Sequence, residues 1–147
     1  MQPEAWLDWQ YMDEGSDQWC TIRGNFQRHT YRKVKNFYVR QQCTRFIKRG
    51  YDIVETSCPQ ALAAVSPDRD TLVLVLLNEG EETIHNISLD GQKTKNKKQK
   101  TRVEAFRTSA TEDLASVSDG IVQEGSTLSV TLPQQSITTL IINFTKP

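Results

Sequence analysis

Two periodicities divide the chain. From residue 51 onward apolar and polar residues alternate in seven short stretches, at 51–55, 61–65, 71–78, 83–89, 102–107, 127–132 and 137–144. A period of two is the signature of strands with one buried face. Turn chemistry separates them, as in "SPDRD" at 66–70, "NEGEE" at 78–82 and "LDGQ" at 89–92. The stretch "TLVLVLLN" is apolar on both faces, which predicts a central strand. Successive strands with no helix between them predict an antiparallel β-sandwich.

Residues 1–50 follow another grammar. "AWLDWQY" at 5–11 alternates and predicts a strand, with Leu7, Trp9 and Tyr11 on one face. "MDEGSDQ" reads as a loop. Apolar residues Tyr31, Val34, Phe37, Tyr38, Phe46 and Ile47 then recur at three- and four-residue spacing. They predict a helix over 30–49, with Thr30 as N-cap and Gly50 as the stop. The arginines and lysines between them form the solvated face of that helix. A lone strand and helix cannot enclose a core. The first third therefore reads as the tail of a larger α/β domain, either an open sheet or a barrel.

Composition narrows the class without naming a chemistry. The chain has 147 residues, with 18 lysines and arginines against 18 aspartates and glutamates. No net field draws it to nucleic acid or an anionic membrane. Its apolar runs are far shorter than the roughly 20 residues that span a bilayer, so no membrane span is expected. No basic segment followed by an apolar run opens the sequence, and no signal peptide is expected within it. "KTKNKKQK" at 93–100 lacks interleaved aromatics and reads as a solvated hairpin tip. Cys20, Cys43 and Cys58 show no CxxC spacing, so no zinc or other metal site is expected. One disulfide beside a free thiol, or three reduced thiols, fit equally. His29 and His85 have no nucleophile in a recognisable motif.

The quoted residues carry a resemblance. "AWLDWQYMDEGSDQWCTIRGNF", "TYRKVKNFYVRQQCTRFIKRGYDIV", "LAAVSPDRDTLVLVLLNE" and "LSVTLPQQSITTLII" resemble the C-terminal part of glycoside hydrolase family 30. The glucosylceramidase, xylanase and endo-β-1,6-galactanase types are the relevant members. The resemblance implies a mainly β chain, an antiparallel β-sandwich preceded by the last strand and helix of a truncated (β/α)8 barrel. It places the barrel remnant at 1–50 and the accessory sandwich at 51–147. It further implies a secreted or periplasmic parent enzyme, an O-glycosyl hydrolase acting on β-linked oligo- or polysaccharides by a retaining two-glutamate mechanism, with no cofactor. Both glutamates would lie on barrel strands outside this chain, so the chain alone is expected to be inactive. The family's side domain also borrows strands from the N-terminal end of the parent, which leaves the sandwich here with an unpaired edge.

Under that resemblance the candidate substrate-binding residues are Trp9, Gln10, Tyr11 and Trp19. A flat aromatic ring covers the C–H face of a sugar while a neighbouring amide meets its hydroxyls, and barrel sites are built at strand ends. Barrel packing is the competing use of Trp9 and Tyr11. Asp8, Asp13, Glu14 and Asp17 are expected to cap, turn and support rather than to catalyse, because loop carboxylates lack the burial that raises a pKa. The alternative, from another class, is a stand-alone carbohydrate-binding or structural β-sandwich.

Overall fold

The computed structural model describes residues 10–89 and 101–144. The expected strand at 5–11 therefore falls largely outside the described residues, as does the lysine-rich stretch at 93–100. The chain divides into two compact units, Met1–Arg40 and Gln41–Pro147.

The first unit holds three short strands, β1 (Met12–Asp13), β2 (Ile22–Asn25) and β3 (Thr30–Lys33), in the order β1-β2-β3. β1 runs parallel to β2, and β2 and β3 form an antiparallel hairpin. Thr30 to Lys33 was expected to start the helix and instead completes this hairpin. Its alternating Tyr31 and Lys33 pair with Gly24 and Ile22, and β-branched and aromatic residues fit such a ladder. His29 closes the turn with φ 52°, a left-handed conformation that excludes a helical start at this point.

Helix α1 is accordingly shorter than 30–49, spanning Lys35–Thr44. The coil continues for another half-turn, since Arg45 N–H donates to the Gln41 carbonyl and Ile47 N–H to that of Cys43. Gly50, at φ +88°, then turns the chain away as expected of a helix-stop glycine.

The second unit is the antiparallel sandwich. Its strands are β4 (Asp52–Val54), β5 (Ala61–Val65), β6 (Thr71–Asn78), β7 (Thr83–Ser88), β8 (Thr101–Thr108), β9 (Ala115–Val117), β10 (Ile121–Glu124), β11 (Thr127–Leu132) and β12 (Ser136–Phe144). All seven expected strands are present to within a residue or two. Two sheets result, β4-β5-β6-β12-β8-β9 and β10-β11-β7. β6, the "TLVLVLLN" strand, lies between β5 and β12 and buries five consecutive side chains, Leu72 to Leu76.

Register explains the core. Leu74 opposes Leu140, which opposes Ala105, and Leu72 opposes Ile142 on the same face. Leu128, Val130 and Leu132 of β11 cover them from the other sheet, all fully buried. Removing one such leucine side chain costs about 3 kcal/mol. The crossings between sheets are tied by side chains. Asn78 Nδ2 donates to the carbonyls of Glu81, Leu132 and Pro133 at 2.8, 3.1 and 2.8 Å.

The opposite face of the large sheet carries a buried polar contact. The Gln42 carboxamide accepts from the Thr108 N–H and Oγ1 at 3.0 and 2.8 Å. It donates to Thr139 Oγ1 and the Phe106 carbonyl at 2.6 and 3.2 Å. Gln42 is the one fully buried side chain of α1. Beside it the Phe46 ring stacks on Phe106, with centroids 4.8 Å apart. Among the described residues β7 is an edge strand. A cavity of about 420 Å3 opens between it and the large sheet, lined by Val54, Ala63, Leu74, Leu76, His85 and Ile87 among others.

Candidate functional site

The first unit brings three of the four expected binding residues onto adjacent backbone. Gln10 N–H donates to the Trp19 carbonyl at 2.6 Å. The Tyr11 carbonyl accepts from the N–H groups of Thr21 and Ile22, and from Thr21 Oγ1 at 2.7 Å. Residues 10–13 thus run alongside 19–23, continued by the parallel pairs Met12–Ile22 and Asp13–Arg23. Trp9 lies outside the described residues.

Burial separates exposed rings from core. Tyr11 is 67% exposed and Trp19 is 61% exposed, so neither ring is packed within its own unit. Phe26 and Tyr31, at 57% and 72%, join them. Sequence reasoning missed both, because reading a helix from Thr30 assigned Tyr31 to a buried stripe. The alternation in "TYRK" after the Gly24–Phe26 segment is the signal that would have found the hairpin. Every exposed aromatic side chain among the described residues belongs to these four. In the second unit the exposed large apolar residues are aliphatic: Ile53, Leu77, Ile84 and Val122. Among the described residues the exposed rings thus all lie in the first unit.

Gly24 shows how the hairpin fits. A Cβ at Gly24 would lie 2.9 Å from the Phe26 ring and 3.3 Å from Met12 Sδ. The absence of a side chain lets the Phe26 ring sit over the strand. Tyr31 is the cross-strand partner of Gly24.

The acids of this segment are engaged in holding the loop. Asp13 Oδ1 accepts from Gly15 N–H at 2.7 Å, a tight local turn. That hydrogen bond holds the Asp13 carboxyl below its ordinary value. Glu14 Oε1 accepts from Phe26 N–H at 3.0 Å, fastening the loop to the hairpin tip. Asp17 meets Arg32 at 2.5 Å and Arg23 at 3.8 Å. A general acid needs a raised pKa and an approachable oxygen. Asp13 is shifted the other way, and the oxygens of all three are bonded to their own fold.

Asn36, near the start of α1, completes the arrangement. Its Nδ2 donates to the carbonyls of Gln18 and Cys20 at 3.1 and 3.2 Å, and more weakly to that of Asp17 at 3.4 Å. Cys20 is fully buried and its Sγ points to the Ser16 carbonyl at 3.2 Å. All three cysteines are unpaired, and burial pushes the Cys43 thiol above its usual range. Among the described residues no group of three His, Cys, Asp or Glu is placed to hold a metal ion. No helix among them is long and apolar enough to cross a membrane.

With this geometry in place, comparison with known proteins defines the fold. No family profile matches the chain, and no curated protein sequence matches it. Solved structures do. A glycoside hydrolase family 30 subfamily 8 xylanase from Clostridium acetobutylicum matches 86% of this chain at TM-score 0.65 and 21% identity. The catalytic domain of a family 30 xylanase from Talaromyces cellulolyticus matches 92% at TM-score 0.69 and 16% identity. A family 30 endoxylanase from Clostridium papyrosolvens matches 76% at TM-score 0.59 and 23% identity. The chain has the fold of part of a family 30 glycoside hydrolase. It spans about 28% to 31% of those chains' lengths.

Proposed function

We propose that the chain is the C-terminal part of a family 30-like glycoside hydrolase. Its first unit supplies one wall of the glycan cleft and its second unit the accessory sandwich. The parent is a secreted or periplasmic enzyme that cleaves β-linked glycans with two glutamates, an acid/base and a nucleophile, carried on barrel strands outside this chain. One observation carries the reading: among the described residues the exposed rings all lie in the 11–31 segment, while its three described loop carboxylates serve the fold. A surface of this kind suits stacking on a sugar ring rather than proton transfer to one.

The division of labour follows from the chemistry. Tyr11 and Trp19 cover the C–H faces of successive sugar rings, and Gln10 offers an amide to the hydroxyls at their rim. Trp9 is assigned to the same wall. A retaining mechanism needs two carboxyls about 5–5.5 Å apart, one of them protonated at neutral pH. Asp13, held acidic by Gly15, is the wrong kind of carboxylate for that second role. The β7 edge and its cavity are where strands from the N-terminal end of the parent would pair.

Assays of the intact chain on xylan, β-1,6-galactan and aryl β-glycosides test this placement. No turnover above buffer is expected. Turnover that disappears in Glu14→Gln or Asp17→Asn would move the catalytic pair into this chain and overturn the proposal.

A further inference from the structure

The loop at 14–19 poses a physical problem. Glu14, Gly15, Asp17, Gln18 and Trp19 are all exposed, so the segment buries little apolar surface to hold itself in place. Such loops are usually the mobile parts of a fold. Here the backbone on both sides of Trp19 is tied down by one side chain. The carbonyls of Asp17, Gln18 and Cys20 converge on Asn36 Nδ2 at 3.4, 3.1 and 3.2 Å. An amide nitrogen carries two protons, so one of them is shared. The Trp19 carbonyl itself accepts from Gln10 N–H at 2.6 Å.

We propose that Asn36 is a positioning residue, which holds Trp19 in advance as a platform for a pyranose ring. The role rests on the glycan reading of the first unit and adds to it a residue that touches no sugar. Asn36 is the second residue of α1, past the N-cap position held by Val34. Its amide nitrogen reaches carbonyls 16 to 19 residues earlier in the chain. A rigid element thus fixes the backbone, and the indole stands 61% exposed on it. An exposed ring on an ordered backbone loses less conformational freedom when a ligand stacks on it.

The test uses the full chain labelled with 5-fluorotryptophan, with the Trp19 resonance assigned through Trp19→Phe. Soluble xylan is the binding probe. Asn36→Asp, which removes both N–H donors, should narrow the Trp19 fluorine line and weaken xylan binding at least tenfold. Asn36→Ser, which keeps one donor, should fall between. Thr139→Val serves as the control, because it loosens the sandwich without touching the loop. It should lower the melting temperature and leave both the Trp19 line and xylan affinity in place.

An Asn36→Asp affinity loss no larger than that of Thr139→Val, with binding still abolished by Trp19→Ala, would overturn the positioning role and leave the glycan reading standing. Xylan affinity unchanged in Trp19→Ala would overturn the glycan reading, and the positioning role with it.

Discussion

A few amide and carboxylate groups decide the local structure, and each makes a definite prediction. The Gln42 carboxamide fills four hydrogen bonds in a fully buried position. Gln42→Ala would remove these four hydrogen bonds and leave a void, so a loss of about 3 kcal/mol is expected in chemical unfolding. Trp19 makes the opposite case. Its side chain is exposed, and Trp19→Ala should shift stability by less than about 0.5 kcal/mol while weakening glycan binding. Asp13 sets a pH dependence with a fixed sign. Its pKa is depressed in the folded state by Gly15 N–H, so its contribution is present above the ordinary carboxylate pKa. That contribution fades as pH falls through the lower folded value. Asp13→Asn should therefore lose less stability than the parent chain between neutral pH and strong acid, measured by thermal melts across pH.

At the scale of elements, legibility followed burial. The sandwich strands were readable because Leu72, Leu74 and Leu76 alternate onto a core face that Leu128, Val130 and Leu132 cover. The hydrophobic pattern alone fixes such a register. The β2–β3 hairpin was not readable, because β3 is exposed at every position and its stability comes from pairing and side-chain ties. A run such as Tyr31, Val34, Phe37 and Tyr38 fits a helix equally well until its partner strand is known. Gln42 escaped for a related reason. A glutamine in a basic helix reads as solvated, and only the facing Thr108 and Thr139 make its burial affordable. The short strands β9 and β10 were missed too, since three or four residues carry little periodicity. Gly120 beside them has φ +75° and a Cβ position 2.8 Å from Thr131 Cβ. Gly120→Ala should destabilise by about 1–3 kcal/mol, seen as a lower urea midpoint at unchanged slope. Of the proposed wall, Gln10, Tyr11 and Trp19 were candidates from the sequence pattern and the family resemblance, whereas the exposure of Phe26 and Tyr31 emerged only with the hairpin.

For the whole molecule, the fold is shared with part of family 30 glycoside hydrolases, and the chemistry is divided unevenly between the units. The sandwich offers aliphatic and threonine-rich outer faces, with Asn86 and Ser129 paired across β7 and β11 at 2.8 Å. It has no exposed ring among its described residues, which argues against a sugar-binding platform on that unit. The first unit has the rings, and its described loop acids are committed to structure. The stretch that looks most like an active site in the sequence carries exposed rings, while its described loop acids hold the fold, and a binding wall is the role proposed for it. Affinity electrophoresis of the intact chain through soluble xylan tests this most directly, run beside Trp19→Ala. The account predicts retardation of the parent chain that is lost in the variant. Equal retardation of the two, or no retardation of either, would contradict it.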